Sequence, residues 1–286
     1  MLLSAAARRS AKIGGPQPVR RRADLLVVEQ GFAESRQKAQ ALILAGEIWR
    51  LEIRIEKPGE QLPADTILSL RSRRRRFVGR GGNKLDGALD HLGIDPEGAL
   101  AWDIGAATGG FTDCLLQRGA AHVVAVDVGR GQLDSSLRDH ERVTFRTGIN
   151  VRFLEPDQLP GPPSIVVADL SFISLEKVLP ALCAAAPGAP IVALVKPQFE
   201  AGRGRVGRGG IVRDPAVQEE TLRRVCRVAA DLGRDVTAVV ESSLRGAEGN
   251  REFFVRLEPA HPGGTGFDTD RLTHEAVYGN EKKENL

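Results

Sequence analysis

Hydrophobic and polar positions follow two different rhythms along this chain, and the change falls near Lys84. Beyond it, short apolar runs at 100–104, 122–128, 143–147, 164–168, 191–195, 236–241 and 252–257 predict strands. Helical spacing over 83–92, 111–118, 175–186 and 215–232 predicts the helices between them. Continuous apolar strands alternating with helices indicate a mostly parallel sheet covered on both faces. The last two strands are separated only by a Gly-rich loop at 245–250, too short for a helical crossover, so they are expected to pair antiparallel.

Before Lys84 the elements are shorter. Residues 24–30 and 35–45 read as helices stopped by Gly31 and Gly46, with Ser35 as N-cap and Ala39, Leu42, Ile43 and Ala45 toward a small core. Alternation at 48–55 and 66–70, broken by Lys57-Pro58-Gly59, predicts a few short strands. The resulting plan is a basic disordered arm at 1–19, a small α+β domain at 20–70, a basic linker at 71–82, an α/β domain at 83–260 and a loosely ordered polar tail at 261–286.

Composition narrows the function classes. The 286 residues are 42% hydrophobic and 27% charged, enough for one large core and a small extra domain. No apolar run approaches the ~20 residues of a membrane helix, and the N-terminus lacks the apolar centre of a secretory signal. Cys114, Cys183 and Cys226 are odd in number and lack metal-ligand spacing, which fits reduced buried thiols in a cytoplasmic protein without a metal. The five histidines are scattered, with no nucleophile or ligand spacing around them. Net charge is only +3, but residues 1–84 hold 18 Lys and Arg against 8 Asp and Glu, while the remainder holds 22 against 29. This asymmetry points to a basic N-terminal part that meets a polyanion, RNA or DNA. The run Arg71-Ser72-Arg73-Arg74-Arg75-Arg76 reads either as a solvated linker or as a phosphate contact.

The densest chemical signal is Ala101 to Thr112, where an apolar strand carrying Asp103 turns through Gly105, Gly109 and Gly110 into a helix. Such a turn lets backbone amides approach a nucleoside ligand, and Asp127, ending the next strand, is placed to accept from ribose hydroxyls. Gly-x-x-x-Gly-Gly is not the nicotinamide fingerprint. Asp103, Gly105, Ala106, Thr108, Gly109, Gly110, Phe111 and Asp127 together suggest S-adenosylmethionine, whose ammonium and carboxylate need a mixed surface. At the carboxyl ends of later strands stand Asp169 and Lys196, with Lys84 at a helix start and Glu252 opening the last strand. A structural ion pair is the plainer reading of Asp169 and Lys196 taken alone. As a set of four beside the glycine turn they suit methyl transfer to a ribose hydroxyl, which needs a base such as a lysine of lowered pKa to remove its proton. The loop Gly202-Arg203-Gly204-Arg205-Val206-Gly207-Arg208-Gly209-Gly210 reads either as a lid contacting RNA phosphate or as a solvated loop.

The strings Ser35-Arg36-Gln37-Lys38-Ala39, Arg80-Gly81-Gly82-Asn83-Lys84-Leu85, Asp103 to Cys114, Val126-Asp127-Val128-Gly129-Arg130-Gly131-Gln132-Leu133, Ala168-Asp169-Leu170-Ser171-Phe172-Ile173-Ser174 and Val195-Lys196-Pro197-Gln198-Phe199-Glu200 resemble the TlyA (hemolysin A) family over roughly residues 20–258. The resemblance implies a ribosomal-protein-type RNA-binding domain joined to an FtsJ-like, class I (Rossmann-like) methyltransferase. It further implies S-adenosylmethionine-dependent 2'-O-methylation of cytidine in ribosomal RNA or ribosomal subunits, with Lys84, Asp169, Lys196 and Glu252 as the tetrad. RNA contacts are expected from Arg22, Arg36, Lys38, Arg73, Arg74, Arg203 and Arg205. The chain lacks the family's Asn-Gly turn, reading Trp49-Arg50-Leu51-Glu52 instead. An RNA-binding S-adenosylmethionine sensor is the competing function, and the hemolysin name raises a membrane toxin, which the missing apolar span argues against. Oligomeric state is open.

Overall fold

The computed structural model describes residues 19–70, 76–129, 132–261 and 267–279. They fall into two units, divided between residues 75 and 76. Arg73 and Arg74, most of the N-terminal arm and parts of the C-terminal segment lie outside the described residues.

The first unit contains β1 (Arg20–Arg22), α1 (Ala23–Glu29), α2 (Arg36–Leu44), β2 (Ile48–Arg50), β3 (Ile53–Arg54), β4 (Gln61–Pro63) and β5 (Ser69–Leu70). Ser35 caps α2, its hydroxyl accepting from the Lys38 amide at 3.3 Å. Leu26, Val27, Ala39, Ile43, Ile48, Ile55, Leu62 and Leu68 form the core. β2 and β3 close a hairpin although Asn-Gly is missing, because Leu51 takes the positive φ (53°) that the turn requires. The pairing of β1 with β4 has no hydrophobic rhythm and is not apparent in the sequence. Asp24 anchors this unit from a fully buried position. It accepts from Arg22 at 2.8 and 3.0 Å, Arg36 at 2.9 Å and Gln40 at 2.9 Å. Arg22, then Gln40 and Arg36, hold its carboxyl well below the usual carboxylate range against the effect of burial.

The second unit runs α3 (Arg80–Leu92), β6 (Leu100–Ile104), α4 (Gly110–Gln117), β7 (His122–Asp127), α5 (Ser135–Arg138), β8 (Val143–Thr147), β9 (Ile165–Ala168), α6 (Leu179–Ala185), β10 (Ile191–Val195), α7 (Pro197–Glu200), α8 (Pro215–Asp231), β11 (Arg234–Glu241), β12 (Phe253–Pro259) and α9 (Thr269–Tyr278). Its seven strands lie in the order β11-β12-β10-β9-β6-β7-β8. All neighbours are parallel except β12, which inserts antiparallel between β10 and β11. This is the doubly wound sheet with one reversed strand expected from the pattern, and it is buried on both faces. The strand order reverses between β6 and β9, where such sheets open a crevice for ligands.

Two boundaries differ from the sequence expectation. The stretch assigned to a linker is packed from Phe77, which is buried against α3, and the helix starts at Arg80 behind Gly79 rather than at residue 83. The C-terminal tail contains α9, capped by Asp268 and docked through Leu272, Ala276 and Val277. That cap and the i, i+4, i+5 spacing were present in the sequence, hidden by the polar residues around them.

Asp24→Ala should cost the first unit about 2 kcal/mol, because three donors lose a common acceptor while the half-exposed arginines recover water. Faster amide hydrogen exchange in α1 and α2, with the large sheet unchanged in the full-length protein, is the expected readout. A depressed carboxyl contributes stability above its unfolded value of 3.8 and loses it as pH falls through the lower folded value. Acidification below about pH 4 should therefore loosen α1 and α2 in the wild type and leave the variant's difference smaller.

Candidate active site

The glycine turn brings backbone onto backbone. Gly105 adopts φ 88°, and a Cβ there would stand 2.3 Å from the Asp169 carbonyl oxygen; a Cβ on Gly110 would stand 2.9 Å from the Gly82 amide. The loops after β6 and β9 and the first turns of α3 and α4 are thereby pressed together. A cavity of about 470 Å³ opens beside the turn, lined by Gly105, Ala107, Asp127, Val128, Ile149, Asn150 and Leu170 among others. Asp127 accepts from the Ala107 amide at 2.8 Å and the Gly129 amide at 2.7 Å, which fixes its carboxylate at the rim. A narrower crevice of about 130 Å³ is lined by Gly105, Ala106, Ala107, Thr108, Gly110 and Phe111 together with Gly81, Asp169, Ser171 and Lys196.

The expected cofactor residues separate by role. Gly105 and Asp127 line the larger cavity, while Ala106, Thr108, Gly110 and Phe111 line the crevice. Gly109 serves packing, lying under Leu133 and Leu137. Asp103 is wholly buried; the Thr112 hydroxyl donates to Oδ2 at 2.6 Å, and Oδ1 has no hydrogen-bond partner. Burial pushes this carboxyl up to about 7 against the pull of the Thr112 hydroxyl, and the charge of Asp169 adds to the rise. Val128, Ile149, Asn150 and Leu170 have no site role in the sequence reading, because single residues after strands carry no chemical signature.

Lys84, Asp169, Lys196 and Glu252 are organised as two ion pairs. Lys84 Nζ lies 2.5 Å from Glu252 Oε2, with both side chains at least 90% buried. Lys196 Nζ lies 2.5 Å from Asp169 Oδ1, a charge contact not aligned as a hydrogen bond, and donates to Ser171 Oγ at 3.0 Å. Gln198 links the two pairs along the chain, donating to Glu252 Oε1 at 3.2 Å from two residues beyond Lys196.

Next to Lys196 an open groove of about 900 Å³ runs between Phe172, Phe199, Arg152 and Lys177 on one side and Gly202, Val206, Gly207 and Gly210 on the other. Phe172 is 91% exposed at a positive φ of 64°, its ring 5.1 Å from that of Phe199. The sequence reading gave neither aromatic a role, although an aromatic next to a strand-end acid is a usable signal. The expected RNA residues are partly engaged internally: Arg22 and Arg36 on Asp24, Lys38 on Glu34, and Arg205 on Glu220 and the Ala201 carbonyl. Arg203 lies on the groove loop, in the short turn Arg203–Arg205.

The strand order, the glycine turn and the lysine-acid pairs define a class I methyltransferase, and residues 77–258 match the FtsJ-like methyltransferase family. A 16S/23S rRNA (cytidine-2'-O)-methyltransferase, TlyA of Mycobacterium tuberculosis, is 47% identical over 83% of this chain and 90% of its own length. Hemolysin A of Brachyspira hyodysenteriae is 38% identical over 82% of the chain and 99% of its length. A solved structure described as a hemolysin of Streptococcus thermophilus is 40% identical, covers 92% of this chain and 97% of its own, and superposes with a TM-score of 0.68. The chain belongs to the TlyA (hemolysin A) family, as its motifs imply. S-adenosylmethionine is the methyl donor of this class, and the residues present fit it: a backbone cradle at Gly105, a carboxylate fixed at Asp127, apolar walls at Val128 and Ile149, and the unsatisfied Asp103 oxygen, an acceptor suited to an ammonium.

Because its native pKa is raised, Asp103 makes the native state hold a proton that the unfolded chain releases between about pH 4 and pH 7, so it lowers stability increasingly over that window. Asp103→Asn should raise the melting temperature of the ligand-free protein, more at pH 8 than at pH 5, and weaken S-adenosylmethionine binding in calorimetry at least about tenfold. An equal rise at both pH values would count against the buried charge.

Proposed function

We propose that this protein transfers the methyl group of S-adenosylmethionine to a ribose 2'-hydroxyl of ribosomal RNA, with cytidine as the target and Lys196 as the base. The observation that carries the reading is the crevice in which the glycine turn, Asp169 and Lys196 meet. The name of the Mycobacterium tuberculosis relative supplies the ribosomal substrate and the cytidine. When bound, the donor supplies a methyl on a cationic sulfur that departs with the bonding electron pair. The chain's own residues then have two tasks, positioning and proton removal.

Asp127 and the walls Val128 and Ile149 hold the nucleoside, and Asp103 meets the ammonium. Lys196 takes the hydroxyl proton as the ribose oxygen bonds to the methyl carbon, and Asp169 and Ser171 steady the ammonium that results. Lys84 and Glu252 are fixed on each other, and Gln198 ties Glu252 to the segment that carries Lys196. The exposed ring of Phe172 offers the target base a stacking platform, and Arg152 and Lys177 offer cations to its phosphates. A flipped nucleotide is what such a platform accepts. Among the described residues no helix is long and apolar enough to cross a membrane, which gives no support to a toxin reading of the hemolysin name. Burial pushes Cys114 and Cys226 up to about 12, and such inert thiols suit work on ribosomes in a reducing cytoplasm.

Incubation of purified small and large ribosomal subunits with labelled S-adenosylmethionine, followed by mass mapping of nuclease fragments, should place the methyl on a cytidine ribose. A methylated base would overturn the reaction. Lys196→Ala should lower kcat by about 1,000-fold while leaving donor and RNA binding nearly intact; a wild-type rate would refute the base, whereas donor and RNA binding without methyl transfer in the wild type would favour a sensor. Phe172→Ala should lower kcat/KM for RNA about tenfold.

A further inference from the structure

One buried carboxylate next to the site has no part in the chemistry described. Glu200 ends α7, the short helix directly after Lys196, and is almost fully buried. Both its oxygens are taken by the loop after β9: the Ser174 hydroxyl donates to Oε2 at 2.6 Å and the Leu175 amide to Oε1 at 2.9 Å. Arg224 of α8 donates to the Glu200 carbonyl and the Glu176 carboxylate, so the loop, α7 and α8 are fastened at one point. A carboxylate with both oxygens occupied in this way holds structure and does not exchange protons with a substrate.

The loop it holds needs fixing at both ends. Ser171 accepts from Lys196, and the next residue, Phe172, is a bulky side chain in left-handed backbone with almost no cover. That conformation persists only where the surroundings impose it. One end of the loop is fixed by the Asp169 amide donating to the Ile104 carbonyl at 2.9 Å. The other end is fixed by Glu200. Phe199, the ring that Phe172 meets, is the neighbour of Glu200 on α7, so one short helix supplies both the fastening and the aromatic partner.

We propose that Glu200 is a positioning residue for methyl transfer, its carboxylate holding the 169–174 loop on α7 so that Phe172 and the Ser171 contact to Lys196 face the target nucleotide. The proposal rests on the reading of Phe172 as the base platform and Lys196 as the base. Its test is a cycle of full-length wild type, Glu200→Ala, Phe172→Ala and the double variant, assayed with ribosomal subunits and S-adenosylmethionine. Glu200→Ala should lower kcat/KM for RNA at least about tenfold alone and no more than about threefold on the Phe172→Ala background, because both changes remove the same platform. Glu200→Gln should stay within about threefold of wild type, its amide oxygen accepting from the Leu175 N–H and its amide nitrogen donating to Ser174 Oγ.

Equal losses on both backgrounds, a wild-type rate for Glu200→Ala, or a Gln variant as poor as the Ala variant would each overturn the proposal. If Glu200→Ala fails to give a cooperative melt, Ser174→Ala replaces it in the cycle, with about a threefold loss expected that vanishes without Phe172. Lys196→Ala run in parallel separates the failures. Activity surviving there removes the proposed base, whereas additivity in the cycle beside an inactive Lys196→Ala removes only the role of Glu200.

Discussion

At Gly105 the backbone of the loop after β6 meets the backbone of the loop after β9, with space for a hydrogen and not for a methyl group. The rest of the site follows from that contact and its companion between Gly110 and Gly82. Parallel strands next to each other at the point of reversal open a crevice by default, and side chains of ordinary size would prop its walls apart. Glycine removes the props. The first turn of the Lys84 helix, the cofactor turn and the Asp169 loop then close on one another, and two lysine-acid pairs form on these elements and their neighbours.

That closeness is energetically costly. Replacing a buried ion pair by apolar side chains of similar volume is often neutral or stabilising, so the pair at Lys84 and Glu252 is poorly explained by stability alone. Asp103 adds a buried carboxyl with one oxygen unsatisfied, and Phe172 and Ala107 add non-glycine backbone at positive φ. The large apolar core on both faces of the sheet offsets these terms. Their concentration at the carboxyl edge of β6, β9 and β10, with none required by the sheet itself, is what a site built for ligands and chemistry would show.

The strands of the large sheet were legible because its central members are continuous apolar runs, which a doubly covered sheet demands, and the antiparallel ending followed from the length of one loop. The glycine turn and the two lysines and two acids beside it were legible for a related reason: close approach and buried charge each call for particular residue types. Other parts left weaker marks. The pairing of β1 with β4 joins three arginines to a Gln-Leu-Pro segment, a match with no rhythm to read. Phe77 sits in a basic stretch whose charge masked its burial. Phe172 and Ile149 act through position alone, and position comes only from the fold.

Charge likewise means something different once partners are known. Arg22 and Arg36 count toward the basic surplus of the N-terminal part, yet both spend donors on Asp24, and Lys38 and Arg205 each face a carboxylate. Such pairs still present remaining N–H groups to solvent, but with their local charge largely offset and their directions fixed. A polyanion meeting them encounters oriented donors more than a diffuse field, and oriented donors respond to shape. Arg152 and Lys177, on the groove beside Lys196, come from a half of the chain with an acidic surplus. Basic groups there stand out against their surroundings. Under the proposed function, long-range attraction falls to the N-terminal part as a whole, and the choice of a single nucleotide to a few groups around one exposed ring.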